Sequence, residues 1–124
     1  MGGEFNFQKF NAVGGKFVVK ITIAKPGGLS FSSGFYNKYD AGQYSAVQLY
    51  FDESKNVVAI QLVKEQQEGT FKLKHREGGK GGYASAISFI KSYSLEKYFS
   101  KRIVPEVYND ENLGRLFLLK LGED

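Results

Sequence analysis

At 124 residues, with hydrophobic side chains at 42% and charged ones at 24%, the chain has the size and composition of one folded domain, which excludes a disordered tail and leaves no room for two ordinary cores. No apolar run approaches the roughly 20 residues of a membrane-spanning helix, and no N-terminal stretch reads as a signal peptide, so a cytoplasmic setting is expected. Cys is absent, which excludes disulfides and thiol chemistry, and the formal charge of +4 is a modest basic bias.

That bias is uneven. Residues 1–68 carry seven Lys against six acids; residues 69–124 carry ten Lys and Arg against seven, and include all three arginines, Arg76, Arg102 and Arg115. A basic half attracts phosphates or acidic partners, and serves equally well as a solubility device.

Residues 1–15 place Phe5, Phe7 and Phe10 ahead of Gly14-Gly15, which reads as an added edge strand or an arm that packs on a partner subunit. Residues 17–23 are β-branched and partly alternating, and Pro26-Gly27-Gly28 stops them. Residues 30–39 space large apolar side chains three or four apart, as a short helix requires. Residues 44–51 and 57–63 read as strands joined through the polar turn 52–56, a β-hairpin. Phe71 and Leu73 then alternate with Lys72, Lys74 and Arg76, which puts the three cations on one face of a strand. A second helical spacing covers 84–93, and a last strand pair, 103–108 and 115–121, turns through 109–112.

The chain reads as one unit written twice. Gly27-Gly28 aligns without a gap to Gly81-Gly82, Phe35 to Phe89 and Tyr39 to Tyr93. After a small insertion Tyr50 matches Tyr108, Asp52 matches Asp110 and Glu53 matches Glu111. The alternative is chance similarity between two amphipathic segments. A unit of this length is too small to bury a core alone, and two copies in one chain solve that internally. The expected fold is therefore α+β: a small β-rich single domain over 1–124, of mostly antiparallel strands. Its two β-α-β-β units, about 17–63 and 70–121, would close as a pseudo-dimer.

On these residues the first unit resembles the swapped-hairpin DNA-binding domain of the AbrB, SpoVT and MraZ families. Gly27 matches the family glycine, Leu29 and Phe31 its apolar pair, and Phe35 and Tyr39 its helix core. Residues 47–53 resemble its hairpin strand and acidic turn. MraZ proteins carry two such units in tandem. The resemblance implies a DNA-binding protein of the transcription-regulator kind. Two departures bear on that: the family's arginine after glycine is Gly28 here and Gly82 in the second copy, and the proline that opens its helix is Ser32. Ser32 can still cap a helix.

Little in the sequence suggests catalysis. His75 is the sole histidine, so neither a zinc site nor a His-activated nucleophile is expected. Asp52-Glu53 and Asp110-Glu111 fall in turns, where solvated acids are ordinary. The reading is a non-enzymatic protein with no catalytic residue, cofactor or metal. The most unusual stretch is the glycine-rich run 76–82. It lacks the Ser or Thr of a Walker motif, and either presents backbone N–H groups to phosphate or serves as a connection that needs positive φ.

The expected partner is nucleic acid, duplex DNA first, contacted by Lys72, Lys74, Arg76 and Lys80, with Lys25 as an equivalent from the first unit. A second reading is single-stranded DNA or RNA stacked on tyrosines. Phe31, Phe35, Tyr39, Phe89 and Tyr93 have core spacing, leaving Tyr36, Tyr44, Tyr83, Tyr98 and Phe99 as candidates for that role. A third is a homo-oligomer or assembly module that has lost its DNA contacts.

Overall fold

The computed structural model describes residues 5–8 and 18–122. They form two antiparallel five-stranded sheets and two short helices. Of the N-terminal segment assigned to an arm, only residues 5–8 are described, without strand pairing; the rest lies outside the described residues. No helix among the described residues is long and apolar enough to cross a membrane.

The chain opens with β1 (Ile21–Ala24), turns at residues 25–27 and returns as β2 (Gly28–Phe31), paired from Ile21↔Phe31 to Ala24↔Gly28. The paired glycines thus lie at a turn and at the start of a strand, and the helix that residues 30–39 predict begins later, as α1 (Ser33–Tyr39). Its first turn is fixed by Ser32, whose Oγ accepts from the Phe35 N–H at 3.1 Å. The same hydroxyl accepts from Lys20 N at 2.9 Å and donates to the Val18 carbonyl at 2.6 Å, tying the segment before β1 to the helix start. Asp40, at φ 53°, ends the helix.

Strands β3 (Ala46–Asp52) and β4 (Val57–Val63) form the expected hairpin, in register from Ala46↔Val63 to Asp52↔Val57. Asp52 shapes the turn: its Oδ1 accepts from Ser54 Oγ at 2.7 Å and from Lys55 N at 3.1 Å. These bonds, the Ser54 hydroxyl first, hold its carboxyl below the usual range.

The alternating run that follows does not lie on one strand. β5 (Phe71–Lys72) edges β3, whereas β6 (Lys74–His75) pairs with β7 (Gly82–Ser85) in the other sheet. The chain changes sheet at buried Leu73, whose N–H donates to the Ser45 carbonyl at 2.9 Å. Alternation survives locally, but the two ends of the run take different partners.

β7 takes residues read as the start of the second helix, and α2 is confined to Ile87–Ser92. The run 103–108 is also divided. β8 (Arg102–Ile103) pairs with β1, β9 (Glu106–Asp110) pairs with β10 (Gly114–Lys120), and Pro105 lies between. In the last turn Asp110 Oδ2 accepts from Asn112 N and Leu113 N, both at 2.9 Å.

The first sheet runs β6-β7-β2-β1-β8 and the second β5-β3-β4-β10-β9. One cluster of buried side chains is drawn from both: Ile21, Ile23, Leu29 and Phe31 from the first, Val47, Val58, Ile60, Phe117 and Leu119 from the second. Phe35 joins them from α1, 5.3 Å from Phe31 and 4.9 Å from Phe117, ring centre to ring centre. Burying such a ring stabilises the fold by about 1.5–3 kcal/mol. Truncating it to Ala costs about 3–5 kcal/mol once the cavity is counted, a large share of a small domain's stability.

Candidate nucleic-acid interface

The outward face of the first sheet is built by register. Lys74 lies opposite Tyr83, Tyr83 opposite Ser30, Ser30 opposite Thr22, and Thr22 opposite Arg102. Side chains directly opposite in antiparallel strands share a face. This row therefore crosses the whole sheet with an exposed cation at each end and hydroxyl side chains between. Arg76, just past β6, turns back onto the row and donates from Nη2 to Ser30 Oγ at 3.3 Å. No strand of this sheet contains an acidic residue; the strands of the second sheet carry Asp52, Glu106 and Asp110 beside Lys72, Arg115 and Lys120.

Tyr83 lies over Gly28, and a side-chain carbon at Gly28 would collide with its hydroxyl and, at 2.5 Å, with Cζ. A ring thus occupies the space that a side chain at position 28 would need. Gly82 has the corresponding relation to Tyr36 of α1. The Tyr36 hydroxyl shares a 2.7 Å hydrogen bond with His75 Nδ1. Burial pushes this phenol up to about 12, with the nearby Arg76 charge acting against the shift.

Residues 76–81 form a compact loop closed by Arg76 N donating to the Gly81 carbonyl at 2.8 Å. Gly78, Gly79 and Gly81 have φ of 69°, 70° and 97°, so the glycines supply left-handed backbone that other residues adopt at a cost. Gly81 also packs against the start of α1, where an added Cβ would stand 3.2 Å from Ser33 N. Lys80 is exposed on this loop beside Glu77.

Of the five cations read from the sequence, the structure brings Lys74 and Arg76 together on the face and leaves Lys80 on the adjoining loop. Lys25 is exposed in the β1–β2 turn, at the end of the β2·β7 pair opposite that loop. Lys72 belongs to β5 and the second sheet, so the stripe of three cations on one strand face is corrected to Lys74 and Arg76. The residue missed is Arg102, whose place follows from the β1·β8 pairing, a contact between distant parts of the chain. Arg115 is engaged elsewhere, 5.0 Å from the Phe117 ring centre and 5.5 Å from that of Tyr39.

Among the aromatics proposed for base stacking, Tyr36 and Tyr98 are buried, and Tyr44, Tyr83 and Phe99 are half-buried. The hairpin acids Asp52 and Asp110 act as turn caps, and the described residues contain no group of three His, Asp or Glu placed to hold a metal. No family model, no curated protein and no solved structure matches this chain.

Proposed function

We propose that the protein is a non-enzymatic duplex-DNA-binding protein that meets the phosphate backbone with the outer face of its first sheet. The observation that carries this is the carboxylate-free row Lys74–Tyr83–Ser30–Thr22–Arg102, with Arg76 drawn onto its middle. Cations spread across a face, with hydroxyl donors between them, suit a line of phosphates better than a single small anion. Lys80 and Lys25 extend the positive surface past both ends of the β2·β7 pair. The reading is of a regulator like the swapped-hairpin class, with Lys74, Arg76 and Arg102 in the role of the absent arginines.

The same proposal takes the chain as a fused pair of β-α-β-β units. Support comes from the central pairings, each of which joins one half of the sequence to the other: residues 28–31 with 82–85, and Ile60 with Phe117. The aligned glycines give further support. Gly81 lies against the start of α1 and Gly27 against the start of α2, where an added Cβ would stand 3.1 Å from Ile87 Cα.

The test is a binding titration of labelled duplex DNA at two salt concentrations, with the wild type and a K74A/R76A/R102A variant. Wild-type affinity falls steeply with salt. The variant binds more weakly, and its slope of log K against log salt is shallower by about 0.9 for each phosphate it no longer neutralises. Identical titrations of the two proteins overturn the assignment. Single-stranded competitors that displace duplex at equal concentration favour the stacking reading. A stable oligomer with no affinity for either favours the assembly module.

A further inference from the structure

Three of the four sheet edges are two-residue strands: β6, β8 and β5. The fourth, β9, runs for five residues and among the described residues is bonded only to β10. An open edge of that length is usually shortened, bulged or covered, because its free N–H and C=O groups template another strand. Its surroundings are apolar: Val104, Val107, Tyr108 and Leu113 are exposed large hydrophobics on or beside it. The outer face of the same sheet carries a groove of about 470 Å³ whose apolar lining includes Tyr50, Ala59, Leu116, Leu118 and Tyr108.

We propose that this edge and groove receive the segment around Phe5–Phe7 of a second copy of the chain, the two copies exchanging arms reciprocally. Phe5 and Phe7 are 70% and 86% exposed, and their rings stack on each other at 5.3 Å between centres with planes 17° apart. Two rings two residues apart on one side are what an added strand presents to one face of a sheet. The chain's own fold leaves them bare, which directs them to another molecule. Phe5 and Phe7 lie beside Tyr108, with the strand hydrogen-bonded along β9.

Charge and area select this occupant. Along the edge lie Asp110, Glu111 and Glu106, the last paired with Lys120 at 3.0 Å; in the arm Glu4 precedes the phenylalanines and Lys9 follows them, so the arm adds no net charge to an acidic edge. Direct β9-to-β9 pairing centred on Tyr108 would set Glu106 against Asp110 of the other copy, and like charges directly opposite are unfavourable. Each buried Phe removes about 150–200 Å² from water, so the four rings of two arms with matching partner surface bury roughly 1,200–1,600 Å², within the range of a stable interface.

Sedimentation equilibrium of the full chain tests this, at a concentration of about 100 µM so that even a micromolar dimer is populated. The wild type sediments as a dimer. F5S/F7S and Y108K each sediment as monomers that still unfold cooperatively, since both sites are exposed, with a Tm that no longer rises with protein concentration as the wild type's does. Mixing the two variants restores part of the dimer, because the arm of one still finds the intact edge of the other. A monomeric wild type, or a dimer that survives F5S/F7S, overturns the proposal. These readouts involve no nucleic acid and stand or fall apart from DNA binding.

Discussion

The Tyr36 hydroxyl occupies the space that a side chain at position 82 would need, and from there it bonds to His75 beside the basic face. Because burial holds this phenol up to about 12 in the folded protein, against 10.0 as its ordinary value, the unfolded chain ionises first as pH rises. Burying the neutral phenol therefore costs the fold no ionisation below pH 10, and stability is lost as pH climbs from there through the folded value. An ultraviolet titration of tyrosinate is expected to show a lagging step near pH 12, and Tyr36→Phe to abolish it. If the lagging step persists in the variant, another tyrosine is responsible and the assignment to Tyr36 fails.

At the scale of elements, Ser32 joins three pieces of chain through one oxygen: α1, Lys20 and Val18. Losing a helix cap of this kind typically costs about 1 kcal/mol, and the two added bonds put Ser32→Ala toward the upper end, about 2 kcal/mol. Ser32→Asp, which keeps an acceptor but cannot donate to the Val18 carbonyl, is expected to recover part of the loss in urea unfolding. What the sequence shows and what it hides divide along the same line. β4 spans 57–63 as its alternation predicts, and both hairpin turns are held by the aspartates that marked them, because turn chemistry and period are local properties. Residues 30–31 and 84–85, the starts of the two helical spacings, belong to strands instead, since β2 and β7 are each other's neighbours across half the chain. The break at Leu73 is invisible for the same reason: alternation reports which side chains share a face, not which sheet each residue joins. In the candidate interface Lys74 and Arg76 were legible as alternating cations, whereas Arg102 required knowledge of a pairing far away in sequence.

For the molecule as a whole, the central pair of each sheet joins one half of the sequence to the other: β2 with β7, and β4 with β10. Residues 18–67 expressed alone therefore lose β7 and β10, one neighbour each of β2 and β4, and keep a core too small to be stable. Circular dichroism of either half alone is expected to show an unfolded chain or a self-associated one, and equimolar mixing to restore the β signal. A monomeric half that melts cooperatively would show that the inter-half strands are dispensable. The intact chain should unfold in one transition, since the core cluster of the described residues draws on both halves.

The connection from β1 to β2 takes three residues, 25–27, whereas that from β6 to β7 takes six, 76–81, and the two rise at opposite ends of the β2·β7 pair. A ligand stretched along that pair would meet a three-residue turn bearing Lys25 at one end and a six-residue, glycine-built loop bearing Lys80 at the other. Identical subunits must present equal ends to whatever they grip; a single covalent chain is free of that requirement. The site accordingly has a direction, and a bound strand turned end for end would not be energetically equivalent.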